Sequence, residues 1–465
     1  MRDIVIIAMI GVCFILATQS RIAGLFTYWW FGIFRPHDWV WSSLITDLKL
    51  PLIAALLLII PCILQRIIPR INHLISVLMI LMLGALLLAK LLNGCENMLG
   101  FKTTTFFSLF LLFYIVLLTA ELVDNKKKLF WFVAIISISI AAHSAKGGIH
   151  ALLTGANNYG AENLTGLFAG SNAFALGTGV LLFFMIFTFQ FINSTLIYEN
   201  TTKWYNKPIV LKIYKILFIV IILGSFYNIV SLQSRGSFIA TILGIIIWIA
   251  LHKYRFRIFI ITSIIVVLGL SVIPLPEGYN ERIASAFVEE EARDNSAASR
   301  PHFWKVAVDM VEAHPLGIGP GCFQGYYNRF DSSNSLYGSY RSVHSSHFQI
   351  LAEAGYFGFF IWVCLMLVSY WKLYKIKNQA NEYIKDQESQ RFYIAISNML
   401  ICSITVFIVG GAFYEYAYND LIWLIFGLTI AVERNINKDI AEEENLKKVI
   451  KKRDRSETHR PVQHK

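Results

Sequence analysis

Three side chains have the chemistry to hold and activate an anionic substrate, and each stands at a break in an apolar chain. Arg235 lies in SLQSRGSFIATILG, between the end of one apolar run and the start of the next. An ionisable group at membrane depth costs at least roughly 2.5–3.5 kcal/mol unless it is paired or functional. A snorkelling anchor is the plainer account, but Ser234 and Gly236 beside it would let a ligand approach the backbone closely. Arg300 precedes Pro301 in RPHFWKVAVDMVEAH, which predicts an amphipathic helix with Phe303, Ala307, Met310 and Val311 on one face. Proline is favoured at the first helical position, so Arg300 stands where free N–H groups and the helix dipole attract anions. A guanidinium there suits phosphate or pyrophosphate; the competing partner is the acidic run Glu289–Asp294. His344 opens HSSHFQILAEAG, ahead of an apolar stretch expected to be helical. A helix dipole favours the neutral imidazole at that end, and the neutral form can act as a general base.

Lesser candidates surround these three. His347 would need further ligands nearby to make a metal site, and it is expected to hydrogen-bond as a substrate contact. Glu353 would face away from His344 on a continuous helix. Lys146, Gly147, Gly148 and Asn172 fall in AKGGIHALLTGANNYGAENLTGLFAGSNAFALG. Small residues followed by Asn at a helix start can bind a polar ligand, or form a surface loop with an Asn cap. Tyr326, Tyr327, Tyr337 and Tyr340 offer faces for sugar rings or make an interfacial aromatic belt. Tyr340 and Arg341, just ahead of His344, complete the candidate substrate contacts. The glycines of HPLGIGPGCF lack the Gly-Lys-Ser/Thr ending of a nucleotide loop and predict a tight turn that brings the loop back to the bilayer.

The elements that must position these residues are membrane helices. The 465 residues are 56% hydrophobic and 15% charged, with mean hydropathy +0.56, whereas soluble chains are about a quarter charged. Apolar runs near the roughly 20 residues of a span fall at 4–18, 22–34, 50–64, 71–91, 103–122, 129–144, 166–192, 209–231, 235–252, 256–274, 356–375, 392–411 and 413–432. Only helices or closed barrels satisfy their backbone in lipid, and alternating strand patterns are absent. The fold class expected is therefore an all-α polytopic membrane protein with about 12 transmembrane helices and one large extracytoplasmic loop, 275–355, carrying short helices. The 22–34 run is short enough to be re-entrant, and the N-terminal stretch is expected to be an uncleaved first helix.

The net charge of +11 follows the positive-inside rule rather than a nucleic-acid surface. Arg66 with Arg70, Lys126–Lys128, Lys203 with Lys207, Lys253–Arg257 and Lys372–Arg391 occupy alternate connections, all of which can be cytoplasmic. No nucleic-acid motif is present. Segments 92–102, 145–165, the Ser234–Arg235 turn and 275–355 then lie outside. The six cysteines are scattered, with only Cys95 and Cys322 in outside loops, and no disulfide framework or metal-spaced cluster is expected.

With these residues placed, the chain resembles the O-antigen ligase and polymerase superfamily, closest to the O-glycosylation ligases associated with exosortase systems. The resemblance rests on MRDIVIIA, Pro36-His37 near Trp39 and Trp41, KGG and TG at Lys146–Gly155, and SNAFAL at Ser171–Leu176. It continues through QSRGSF at Gln233–Phe238, NSAASR…W…HPLGIGPGCF, and HSSHFQILAEAG. It implies a metal-independent transfer with no cofactor at the outer face of the bacterial cytoplasmic membrane. The donor would be a glycan on undecaprenyl pyrophosphate, and the acceptor a hydroxyl of a protein, lipid or polysaccharide. Arg235, Arg300 and His344 match the family's catalytic positions. Two departures are Ser171-Asn172 in place of paired asparagines, and His347 where an aromatic residue is usual. The latter argues for contact rather than catalysis.

The domain division expected is 1–192 as an N-terminal membrane region, 193–434 as the ligase-like membrane domain, and 435–465 as a basic cytoplasmic tail. A polymerase joining lipid-linked glycans would use the same residues. A polysaccharide transporter is disfavoured because the polar residues gather at one face instead of at the midplane.

Overall fold

The computed structural model describes residues 2–40, 48–95, 105–155, 168–197, 208–272 and 299–457. Several features read from the sequence lie outside these residues: Trp41, positions 96–102 and 156–165, Lys203 and Lys207, the loop portion 275–298 with its acidic run, and the last residues of the tail.

Fifteen α-helices and one 3-10 turn make up the described chain. The first six helices are α1 (Arg2–Gln19), α2 (Arg21–Ile33), α3 (Leu50–Leu64), α4 (Leu74–Asn93), α5 (Thr105–Leu122) and α6 (Lys126–Leu153), with the 3-10 turn Pro36–Trp39 after α2. Next come α7 (Ser171–Phe191), α8 (Pro208–Ser231), α9 (Arg235–Leu251) and α10 (Arg255–Val272). The loop contributes α11 (Arg300–Ala313) and α12 (Phe323–Phe330), followed by α13 (Ser346–Tyr383), α14 (Gln387–Gly411) and α15 (Asp420–Glu457). Local chemistry explains several starts. Asn125 caps α6 by accepting from Lys128 N, Asp386 caps α14 from Ser389 N, and prolines open α3 and α11.

Six helices (α4, α6, α7, α8, α13 and α14) are long and apolar enough to cross a membrane. Four more, α1, α3, α5 and α9, are apolar but shorter. The apolar windows of α7, α14 and α6 are 83%, 78% and 72% buried against 11% for α8, so the first three form the centre and α8 the rim. Hydroxyls join the helices where lipid offers no partner. Ser137 meets Thr188 at 3.0 Å, Ser144 meets Ser225 at 2.7 Å, and Ser403 donates to Val180 O at 2.8 Å.

Polar contacts sort to the two ends of the bundle. At the end away from Arg235 and Ser346, Glu121 pairs with Arg70 at 3.0 Å and Arg434 at 2.7 Å, while Lys126 meets Asp439 and Lys372 meets Glu433, both at 2.7 Å. Basic connections assigned to one side by charge alone thus meet one another there.

Three expectations need correcting. Residues 145–153 are not loop but the last turns of α6. Gly147 and Gly148 there press against α8: a Cβ on Gly148 would fall 1.8 Å from Gly224 O, and one on Gly147 would fall 2.4 Å from Asn228 Oδ1. Their small size serves helix packing. The run at 413–432 begins with a non-helical segment, 412–419, before α15. Last, Cys95 and Cys322 form a disulfide with Cα atoms 5.6 Å apart, although no such bond was expected from their spacing. Sequence distance hid the pair, since 227 positions separate them. The helix α15 also runs on through position 435, with Ile436 buried, so the first part of the tail belongs to the packed bundle.

Candidate active site

The loop after α10 folds into a cap with its own core. Phe303, Val306, Ala307 and Met310 of α11 pack on Tyr327, Val343 and the Cys95–Cys322 bridge. The face predicted for α11 is the face buried. Asp331 ties the cap together. Burial pushes its carboxyl up, but donors from Ser333, His302 and Ser335 outweigh that and hold it near 2. Tyr326 is buried and donates to Asn93 O at 2.7 Å, and Tyr337 packs its ring 5.3 Å from that of His302. Of the four loop tyrosines, Tyr340 is the one that stays exposed.

The glycine turn locks this cap to α13. Gly317, Gly319 and Gly321 have φ of +91°, +97° and +76°, a region open to glycine and strained for other residues. Ile318 N and Gly319 N donate to Ala352 O and Glu353 O at 3.0 Å, and Tyr356 N donates to Pro315 O at 3.0 Å. These bonds are possible because Gly355 breaks α13 with φ 71° and ψ −175°. Glu353 is fully buried, and its carboxylate accepts from Gly321 N at 2.8 Å and Phe323 N at 3.0 Å. It organises the turn and leaves His344 alone, as its position on the helix predicts.

The start of α13 is stitched to segment 412–419. Ser345 caps the helix, accepting from Phe348 N. Ser346 Oγ donates to Tyr414 O at 2.8 Å and accepts from Tyr416 N at 2.9 Å. His347 is braced through both nitrogens: Nε2 lies 2.8 Å from Ile408 O, and Trp362 Nε1 donates to Nδ1 at 3.1 Å. Gln349 donates to Glu415 Oε1 at 3.0 Å. Every polar side chain of HSSHFQ except His344 is therefore engaged in structural hydrogen bonds.

His344 sits just before that cap in a left-handed conformation, φ 50°. It lines a cavity of about 690 Å³. Burial first, then the charges of Arg300 and Arg341, hold its imidazole down to about 4, so the ring is neutral at pH 7. Ser342 Oγ lies 3.4 Å from the ring. The same hydroxyl and Val343 N donate to Glu415, whose carboxyl burial pushes up to about 7.

The other candidates distribute unevenly. Arg300 heads α11, with its guanidinium 6.0 Å from the Phe413 ring centre. Arg235 heads α9, and a Cβ on the adjacent Gly236 would fall 2.9 Å from Phe413 Cβ. Phe413 is thus the shared neighbour of the two arginine-bearing helix starts. Arg341 lies over Phe303 at 5.7 Å and is exposed. Tyr340 N donates to Asn328 at 2.9 Å. Asn172 is the second residue of α7 and exposed; Gly170, not an asparagine, occupies the cap. Lys146 lies over Trp39 at 4.8 Å and lines a separate apolar recess with His150. Of these candidates, only His344 lines the cavity itself.

Three charged lining residues escaped the sequence reading: Arg35, Glu415 and Asp420. Arg35 follows α2, bonded to Asp38 at 2.7 Å. Glu415 and Asp420 belong to FYEYAYND. Two carboxylates inside a stretch taken for a span were the available signal.

A family model described as O-antigen ligase matches residues 218–363. No curated protein matches the chain. The matched stretch runs from within α8 to within α13 and takes in Arg235, Arg300, Arg341 and His344. Over residues 218–363 the chain is thus similar to the O-antigen ligase family.

Proposed function

We propose that the protein transfers a glycan from undecaprenyl pyrophosphate to an acceptor hydroxyl at the outer face of the bacterial cytoplasmic membrane. The observation that carries this reading is His344: a neutral imidazole at a polar cavity, flanked by two arginines, in a motif whose other polar side chains are engaged elsewhere. The acceptor oxygen attacks the anomeric carbon as its proton passes to His344. The bond from that carbon to the pyrophosphate oxygen breaks, and the undecaprenyl pyrophosphate leaves with the electron pair. Pyrophosphate is already a good leaving group, so the protein has mainly to hold its charge and deprotonate the acceptor. Arg235 and Arg300 take that anion on either side of Phe413, with Arg341 supporting the glycan or phosphate. Direct displacement inverts the anomeric centre.

The Cys95–Cys322 disulfide supports placing the cap outside, where disulfides persist. The motif order beyond 218–363 supports kinship with the exosortase-associated branch and the domain division given above, and the apolar runs support a count of about twelve crossings. To test the reading, purified protein is given a lipid-pyrophosphate glycan and candidate acceptors, with and without EDTA, and the products are weighed. Transfer of one glycan, unaffected by EDTA and lost in His344→Ala with the variant still inserted, is the expected result. Normal product from that variant overturns the assignment of the base, and polymeric product on the lipid carrier replaces ligation by polymerisation.

A further inference from the structure

At the end of the bundle remote from His344 lies a second, larger recess, of about 1390 Å³. Its position follows from helix direction. Helix α9 runs from Arg235, beside the site, to Leu251, and α13 and α14 connect far from Ser346 and Gly411. The recess opens between these ends and the start of α10.

Five cations line it: Lys253, Arg255 and Arg257 from the α9–α10 connection, Lys377 from α13 and Arg391 from α14. Among the described residues, no carboxylate does. Two acids of this region are turned elsewhere: Asp386 caps α14, and Glu388 accepts from Ser194 and Thr195. None of the five cations forms an ion pair among the described residues. Their convergence from three elements therefore leaves an uncompensated positive cavity, which solvated surface lysines would not create.

A second feature points inward. Asn398 lines the same recess and is 6% exposed, yet its side-chain Oδ1 has no hydrogen-bond partner. A buried amide left unsatisfied costs about 1–3 kcal/mol, and an amide can turn its NH2 or its oxygen to a ligand. Phe191, Trp248, Leu251 and Ile394 add apolar surface to the lining. Along α10, Phe256, Phe259, Ile260 and Ile264 are more than half exposed. A positive floor beside an open apolar helix face matches a molecule with an anionic head and hydrocarbon tails.

We propose that this recess seats the headgroup of an anionic phospholipid, with its phosphate on Lys253, Arg255 and Arg391 and its chains along α10. Basic pockets between membrane helices on the positive side of a protein bind such headgroups. The site is independent of the glycan chemistry at the opposite end.

The test uses full-length protein in neutral detergent. Phosphatidylglycerol with brominated chains is titrated while tryptophan fluorescence is followed. Brominated phosphatidylcholine is run in parallel, and inorganic phosphate is run as a competitor. The expected result is saturable quenching by phosphatidylglycerol that is lost in Trp248→Phe and at least tenfold weaker in Lys253→Gln/Arg391→Gln. Equal quenching by phosphatidylcholine overturns the proposal, because charge then plays no part. Displacement by phosphate at low millimolar concentration identifies a free-anion site and overturns the lipid assignment. As a check on folding, native mass spectrometry of Asn398→Ala counts retained phosphatidylglycerol. Retention equal to that of the parent protein also counts against the site.

Discussion

In the proposed reaction His344 acts as the base, and its surroundings suit that part. Burial and two neighbouring guanidinium groups hold its imidazole down to about 4, so the basic form persists through the whole neutral range. The acid limb of kcat/KM for the free enzyme is therefore expected near pH 4 rather than near the ordinary histidine value of about 6.5. Removing one cation in Arg341→Gln lets the pKa rise and moves that limb to higher pH, by less than the full gap because burial remains the larger cause. A pH–rate profile of the two proteins checks this. Between about 4 and 6.5 the folded protein declines a proton that the unfolded chain takes, so His344's contribution is full above 6.5 and is lost as pH falls through 4. Arg235, Arg300 and His344 were legible as residues because charge and imidazole are rare types at breaks between apolar runs. Glu415 was not. Glu415 and Asp420 were the signal in the run 413–432, but its apolar length masked the non-helical residues 412–419.

At the scale of elements, the break in α13 decides how the cap docks. Gly317 and Gly355 face each other across backbone contacts that leave no room for a methyl group: a Cβ on Gly317 would lie 2.4 Å from Glu353 O. Gly317→Ala also meets left-handed strain of about 1–2 kcal/mol, so its thermal unfolding in detergent is expected several degrees below that of the parent, with transfer reduced. Gly84→Ala is the contrasting case. Nothing lies within 4 Å of its would-be Cβ inside α4, and the gain in helix propensity is about 0.5–1 kcal/mol, so unfolding moves upward. The turn itself was predictable from HPLGIGPGCF, as was α11 from its apolar face. The docking surface was not, because it consists of backbone groups exposed by a single dihedral at Gly355. The KGG segment misled for a related reason. Small residues permit a close neighbour without saying whether that neighbour is a ligand or another helix, and here it is α8.

For the whole molecule, the helical architecture followed from hydropathy: each expected apolar run overlaps a helix. What hydropathy omits is the covalent tie between distant parts. Cys95 and Cys322 fasten the end of α4 to the cap, alongside Asn93, which donates to Gly317 O at 2.9 Å. Loss of such a bond costs about 2–4 kcal/mol. Cys95→Ser is expected to lower the unfolding temperature and to free Cys322 for maleimide labelling, which the parent protein allows only after reduction.

That bond also sets a schedule for making the protein. Cys95 is synthesised 227 residues before its partner, which at roughly 5–20 residues per second is an interval of ~11–45 s. Throughout it the N-terminal helices stand inserted with an open thiol. The cap can be fastened only after the chain has recrossed the bilayer several times. Closure is thus a late event in biogenesis, and a nascent chain that stalls before Cys322 is marked by that thiol as unfinished.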